Sequence, residues 1–356
     1  MKLLYTTSID VPSTRANRLQ IMSMAREFSR MLGEDFLIGL RAKEEGFMPE
    51  VRCIEMQSTR SFILAWQYMS LVRDDFTHIY CREEKLLFFM ILYNQLWFRL
   101  PLIFAYEIHH LVYLDAWWHK YILRHVRHII SITHGIKDVL VRSGYPEERI
   151  IVAPDAVDIP MFDIATSKEA ARTALGLPQD RRIVIYTGTI DEPWKGVCVL
   201  YTAMRELGEE YFCVIVGGKP HYVEEFNRLY PPLSNMLLVG HKPHEDIPLY
   251  LKAADVLVLP NSATAEISRI ATSPMKLFEY MASGRPIVAS ELPSILEILN
   301  GHNAFLVVPD DAKDLTKGIR TVAQNPDLGT ALATQARSDV SSHTWEKRTT
   351  GILRFI

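Results

Sequence analysis

The residues of this chain best suited to chemistry are in Ser273-Pro274-Met275-Lys276-Leu277-Phe278-Glu279-Tyr280-Met281-Ala282-Ser283-Gly284-Arg285-Pro286, followed by the apolar run Ile287–Ser290. The pattern predicts a loop, an amphipathic helix opened by Pro274, a glycine stop at Gly284 and a short β-branched strand. Loop amides and the unpaired N–H groups of a helix start together make an anion site. A carboxylate one turn in, at Glu279, can accept hydrogen bonds from a sugar diol. A phosphate and a ribose bound side by side describe a nucleotide. On the plain structural reading, Glu279 is instead a solvated helix carboxylate, Pro274 a helix-start proline, and Phe278, Met281 and Ala282 core.

Other segments have the same strand-then-loop form. In Tyr186–Val197 a strand ends at Gly188, and Lys195-Gly196 precedes the next helix. Glycine lets a backbone approach a ligand without a Cβ clash, and a lysine at a helix start can neutralise a diphosphate. The alternative is a solvated loop lysine. Val214–Pro220 feeds a strand into Gly217-Gly218. Leu238–Tyr250 runs from Gly240 through Lys242 and Pro243, with His241 and His244 read as exposed loop histidines. Phe104–His110 ends a strand in the polar tip Glu107, His109 and His110, the position where sites on α/β sheets sit; the alternative is a histidine satisfied by a backbone carbonyl.

Several chemistries are disfavoured. No Asp-x-Asp follows a strand, and neither a Gly-x-Ser-x-Gly elbow nor a Walker sequence occurs. Asp310-Asp311 reads as a helix cap. Cys53, Cys81, Cys198 and Cys213 are scattered without metal-ligand spacing, which fits reduced thiols in a cytosolic protein. A net charge of −3 gives no basic surplus for nucleic acid. The N-terminus lacks a signal-peptide core and reads as a first strand. Leu86–Phe104 is rich in Leu, Phe and Ile, but Asn94, Gln95, Arg99 and Pro101 interrupt it. It reads as a helix over Lys85–Phe98, a proline turn and a strand over Leu102–Tyr106, leaving room for a one-sided lipid contact but not for a span.

The elements that must position these residues alternate along all 356 residues, a length natural for two domains. Strands are expected at Lys2–Thr6, Phe36–Leu40, His78–Tyr80, Leu102–Tyr106, His128–Ile132 and Ile150–Ala153. After Pro154–Lys168 a second series follows at Ile183–Thr187, Phe212–Val216, Met236–Val239, Val256–Leu259 and Ile287–Ala289. Helical patterns separate them, so both series predict parallel doubly wound α/β sheets. Trp117, Trp118 and Tyr121 are expected to pack a helix against the first sheet, with an acceptor- or membrane-facing patch as the alternative.

Taken in order, Gly188/Lys195, Gly217, Gly240, Glu279 and Gly284-x-Pro286 resemble the retaining family 4 glycosyltransferases, glycosyl transferases group 1. The resemblance is strongest over Ile183–Pro309. It implies an α/β GT-B fold: two Rossmann-like domains facing across a cleft, residues 1–160 on the acceptor side and 161–343 binding the nucleotide sugar, with a terminal helix over 344–356 crossing back. It implies a UDP- or GDP-sugar donor, transfer with retention to a glycan, lipid-linked or small-molecule acceptor, no obligatory metal, and no cofactor beyond the nucleotide-sugar substrate. A cytoplasmic enzyme with peripheral contact at the inner membrane face is the corresponding expectation.

Residue by residue, Gly188, Thr189 and Lys195 are similar to a Gly-Arg-x-x-x-x-x-Lys-Gly signature whose Arg and Lys grip the donor pyrophosphate. Lys195 keeps its place, and Thr189 stands where the Arg is usual. Lys242 and Pro243 would border the base, and Gly217 the donor. Ser273, Pro274, Met275 and Lys276 resemble a Ser-Pro-x-Lys variant ahead of Phe-Glu-Tyr-Met-Ala, and Ala271 replaces the family's first Glu. Glu279 would bind the ribose, and the amides of Met275 and Lys276 the phosphate or sugar, with a side-chain role for Lys276 left open. His109 matches a strand-end histidine that approaches the donor sugar, with His110 as rival. Arg15, near Asn17 in the first loop, is a hypothetical replacement for the cation missing at Thr189. Thr189 and Ala271 also fit a non-catalytic nucleotide-binding GT-B protein; a GT-B sugar-nucleotide epimerase would need a carboxylate pair that is not evident.

Overall fold

The computed structural model describes residues 1–11, 16–42, 48–72 and 75–356. Arg15 lies outside the described residues, as does the side chain of Asn17, whose backbone is in the helix Ala16–Leu32. The chain divides into two compact units: Met1–Pro154 with Trp345–Ile356, and Asp155–Thr344.

The first unit is built on strands β1 (Leu3–Val11), β2 (Phe36–Ala42), β3 (Cys53–Glu55), β4 (His78–Cys81), β5 (Ile103–Ile108), β6 (His128–Ser131) and β7 (Ile150–Val152). They form one parallel sheet in the order 3-2-1-4-5-6-7. The strand order reverses between β1 and β4, and ligands of such sheets bind at the carboxyl ends beside that switch point. The apolar stretch before β5 is α-helical over Glu84–Tyr93, loosens to a π-turn over Asn94–Phe98 and stops at Arg99, whose φ is 52°. The Asn94 side chain holds the turn by accepting from the Leu100 N–H at 3.0 Å. No helix among the described residues is long and apolar enough to cross a membrane. The terminal helix Trp345–Phe355 belongs to this unit and buries Trp345, Arg348, Thr349 and Ile352, one helical face.

The second unit carries β8 (Arg182–Thr187), β9 (Tyr211–Val216), β10 (Met236–Gly240), β11 (Val256–Leu259), β12 (Ile287–Ser290) and β13 (Phe305–Val307). Their parallel order is 10-9-8-11-12-13, with the switch point between β8 and β11. Successive side chains point to opposite faces of a strand. Ile183 and Ile185 therefore enter one core cluster, and Val184 and Tyr186 the other. Burial on both faces is why these strands read as continuous apolar runs. The helix Met275–Ser283 starts after Pro274 and ends where Gly284 takes a φ of 68°. Leu277, Phe278 and Met281 on it are fully buried, each contributing roughly 1.5–3 kcal/mol. Phe278→Ala would cost about 3–5 kcal/mol and loosen the helix that carries Glu279.

Both sheets follow the expected alternation. The strands that sequence reasoning passed over, β3 and β13, have three residues each, too few to show a period.

Candidate functional site

In the second unit the loops after β8, β9 and β10 are bound backbone to backbone. The Gly188 N–H donates to the Val216 carbonyl at 2.8 Å, and the Gly217 N–H to the Gly240 carbonyl at 2.8 Å. Gly188 and Gly217 have φ of 133° and 140°, and a Cβ at Gly217 would lie 1.9 Å from the Gly188 oxygen. Only glycine fits there, in conformation and in space. The chain then passes Thr189, exposed, whose carbonyl accepts from the Tyr186 hydroxyl at 2.8 Å. It makes a single 3₁₀ turn over Pro193–Lys195 and bends at Gly196 against the Pro260 carbonyl. The Ser262 N–H donates to the Trp194 carbonyl at 2.8 Å, so the Lys195 turn is fixed to the loop after β11. Lys195 is half-buried, with Nζ 3.6 Å from the centre of the Trp194 ring. Burial pulls its ammonium down to about 8, against the opposing pull of Glu192 and Asp191.

The helix Met275–Ser283 brings two more ionisable groups. The Nζ of Lys276 is buried, makes no hydrogen bond and lies 3.8 Å from the centre of the Tyr186 ring. A Cβ on Gly188 would be 2.6 Å from it. Burial, then the charge of Lys195, hold this ammonium well below the usual lysine range, with Glu279 opposing. Lys195, Lys276 and Glu279 thus share one electrostatic environment. Glu279 is almost buried, and its Oε1 is 2.8 Å from Nε2 of His244. The sequence reading of His244 as an exposed loop residue is corrected: the 3₁₀ turn His244–Asp246 folds its ring onto Glu279 and 5.5 Å from the Phe162 ring. Burial works against the imidazolium, but the bond to Glu279 and its charge outweigh it and raise the pKa. His241 is exposed as expected.

Of the remaining donor-side candidates, Lys242 is half-buried and Pro243 exposed ahead of that turn. The Ser273 hydroxyl accepts from the Asp155 N–H at 2.8 Å, fixing the loop that leads into Pro274, Met275 and Lys276. Met275 and Lys276 form the first turn of the helix, where N–H groups have no intrahelical acceptor. Ala271 is buried at the end of the short helix Glu266–Ile270. Asn261, just after β11, was not singled out from sequence. It is fully buried, and neither end of its side-chain amide has a partner. An Asn in a Pro-Asn-Ser loop carries no signal of its own.

In the first unit Glu107, on β5, is buried among polar groups. It accepts from Gln20 Nε2 at 3.0 Å, from the Tyr80 hydroxyl and from His109 Nε2 at 2.5 Å, and it pairs with Arg348 of the terminal helix at 3.1 Å. Burial alone would raise this carboxyl; Arg348, His109 and Arg82 hold it well below the usual range. His109 is driven to about 4 by burial and Arg82, despite Glu107, so it is a neutral imidazole donating from Nε2 at pH 7. His110 pairs instead with Glu84 at 3.1 Å. Nearby at the switch point, Glu83 accepts from the Ser8 N–H at 2.6 Å.

A run of aromatic rings lies on the helices of this unit. Phe62 stacks edge-on to Phe89, Trp66 to Tyr93, Trp97 and Phe98, and Phe88 to Trp117, Trp118 and Tyr121. Trp97 is 60% and Trp117 73% exposed. The expectation that Trp117 packs inward is therefore corrected: His119, Ile122 and Leu123 are the buried residues of the helix Trp117–His125.

Residues 181–325 match the family described as glycosyl transferases group 1. The match takes in the stretch that carries Gly188, Lys195, Gly217, Gly240 and Glu279, and this part of the chain is similar to that family. Among curated relatives, a D-inositol 3-phosphate glycosyltransferase of Streptomyces bingchenggensis is 26% identical over 238 residues, covering 62% of this chain and 50% of the relative. The chain spans about half the length of the curated relatives it matches. Among solved structures, Anabaena HepE in complex with UDP has a TM-score of 0.82 at 18% identity, covering 99% of each chain. WaaG, a glycosyltransferase involved in lipopolysaccharide biosynthesis, has a TM-score of 0.72 at 15% identity, again covering 99% of each. With the two parallel sheets, these likenesses identify the fold as GT-B.

Proposed function

We propose that this chain is a retaining glycosyltransferase that moves a sugar from a UDP- or GDP-sugar to a glycan, lipid-linked or small-molecule acceptor, without an obligatory metal. The observation that carries the reading is the convergence of Lys195, Lys276 and Glu279 with the open first turn of the helix Met275–Ser283 in one unit. Breaking the bond between the anomeric carbon and the phosphate oxygen leaves its electron pair on the diphosphate. The ammonium groups and the helix start stabilise that charge, and Glu279 accepts from the ribose hydroxyls. The acceptor oxygen attacks the anomeric carbon on the face the diphosphate leaves, and its proton goes to the departing phosphate oxygen. His109, neutral and anchored on Glu107, takes the sugar-side role. Anabaena HepE has been solved with UDP and with UDP-glucose, which supports trying uridine donors first.

The test is incubation with a panel of UDP- and GDP-sugars. Slow hydrolysis of one donor, unchanged by EDTA, is expected. Binding without turnover would favour the non-catalytic alternative, and a changed sugar on an intact nucleotide the epimerase.

The lipid-linked acceptor and the peripheral membrane contact are part of the same proposal, supported by the exposed aromatic face. Trp and Tyr concentrate at bilayer interfaces, and a large exposed apolar patch marks an interaction surface. The chain should sediment with phosphatidylglycerol vesicles, and Trp97→Ala with Trp117→Ala should lower that binding about tenfold. Equal sedimentation of the double variant would remove the membrane contact and leave the donor chemistry standing.

A further inference from the structure

The Lys276 ammonium is buried without a hydrogen-bond acceptor. Desolvating a cation is unfavourable unless something of opposite sign or high electron density replaces the lost water. What faces Nζ is the Tyr186 ring, 3.8 Å to its centre, and the bare backbone of Gly188. The ring offers partial compensation. The Tyr186 hydroxyl donates to the Thr189 carbonyl at 2.8 Å, which fixes the ring under the ammonium. The nearest charged groups act in opposite directions: Lys195 repels the cation and Glu279 attracts it, while Glu279 is already engaged by His244. Lys276 is therefore held within the field of Lys195, with Glu279 as its attracting carboxylate.

Glycine at position 188 lets Nζ lie directly against the backbone. A Cβ at Gly188 would collide with the ammonium at 2.6 Å. Thr189, the next residue, is exposed and supplies no charge. The N–H groups of the first turn of a nine-residue helix are beside the same lysine, which is itself in that turn. The loop after β11 packs on Gly196, next to Lys195 in the chain, and carries Asn261, whose buried amide is also unpartnered. Unpaired buried donors are exceptional in folded proteins and point to a missing ligand.

We propose that the side-chain ammonium of Lys276 grips the donor diphosphate together with Lys195 and serves as the second cation at a site where position 189 is threonine. The proposal rests on the nucleotide-sugar reading and deepens it. It makes Arg15 unnecessary for diphosphate binding. Burial and the neighbouring Lys195 hold the Lys276 ammonium below the usual lysine range in the empty site, and an arriving diphosphate would favour its charged form.

The test titrates the intact chain with UDP and uridine, and with GDP and guanosine, by calorimetry. Lys276→Met keeps the length and apolar stem of the side chain and removes the charge. Its expected effect is a loss of diphosphate affinity of about 30-fold with nucleoside affinity unchanged. Its melting temperature without nucleotide should equal or exceed that of the unsubstituted chain, because an unpaired buried cation has gone. A structural lysine would give the opposite pair of results, a lower melting temperature and an unchanged ratio of diphosphate to nucleoside affinity, and either overturns the proposal. If the unsubstituted chain binds neither UDP nor GDP, the nucleotide-sugar reading itself fails, and the proposal with it.

Discussion

Nε2 of His244 lies 2.8 Å from Oε1 of Glu279, so the carboxylate suited to a ribose is already oriented by an imidazole from the turn after β10. The pair ties the loop expected beside the nucleobase to the helix expected beside the phosphates. A carboxylate with one oxygen held by a histidine presents its remaining lone pairs in a fixed direction.

The pair makes a pH prediction. The His244 pKa is raised in the folded state, so its contribution to stability is fully present below the ordinary value of 6.5 and is lost as pH rises through the raised value. NMR titration should place His244 above 6.5, and Glu279→Gln should bring it down. A His244 titration unchanged by Glu279→Gln would contradict the geometry. The same variant should weaken UDP or GDP binding by roughly one to two orders of magnitude, about 1.4–2.8 kcal/mol.

Lys195 gives a second pH dependence. Its ammonium is lowered to about 8, so it is cationic at pH 7 and neutral in more alkaline solution. For whichever donor is hydrolysed, kcat/KM should fall above about pH 8, since that parameter follows the free enzyme. Lys195→Ala should cost about 10²–10³ in kcat and abolish the alkaline limb. An alkaline limb that survives in the variant would belong to another group.

Gly217→Ala tests the backbone contacts. The substituted residue would need a φ of 140° and would place its Cβ 1.9 Å from the Gly188 oxygen. Strain and overlap together should destabilise the second unit by on the order of 3 kcal/mol. Urea unfolding followed by Trp194 fluorescence reports this; a shift below 1 kcal/mol would mean the loops move apart freely.

The buried network of the first unit predicts strong coupling. Arg348→Met alone leaves Glu107 charged and without its main partner, at a cost of about 3–5 kcal/mol. Adding Glu107→Gln should recover most of that loss, since the double variant leaves no buried charge in the pair. Additive losses in the double-mutant cycle would mean the two residues act independently.

Much of this protein was legible in the order of its residues. The alternation of apolar runs with helical patterns gave both parallel sheets, because a strand buried on both faces must be apolar throughout. Gly188, Gly217 and Gly284 were readable as turn positions because only glycine adopts their backbone angles without strain. Proline and glycine likewise bounded the helix carrying Glu279. The three-residue strands β3 and β13 were not legible, because so short a segment has no period and is held as a strand by its neighbours.

What the sequence could not decide is which side chains lose their water together. His244 is 35 residues from Glu279, and Arg348 is 241 residues from Glu107; nothing local in either segment announces the partner. The desolvation of Lys276 depends on a tyrosine ring from β8 and a glycine two residues after it, far away along the chain. Residue types and spacing determined the backbone plan, since those preferences act over a few residues. The charge state and partners of each buried group came only from tertiary packing, because solvation and Coulomb forces act through space.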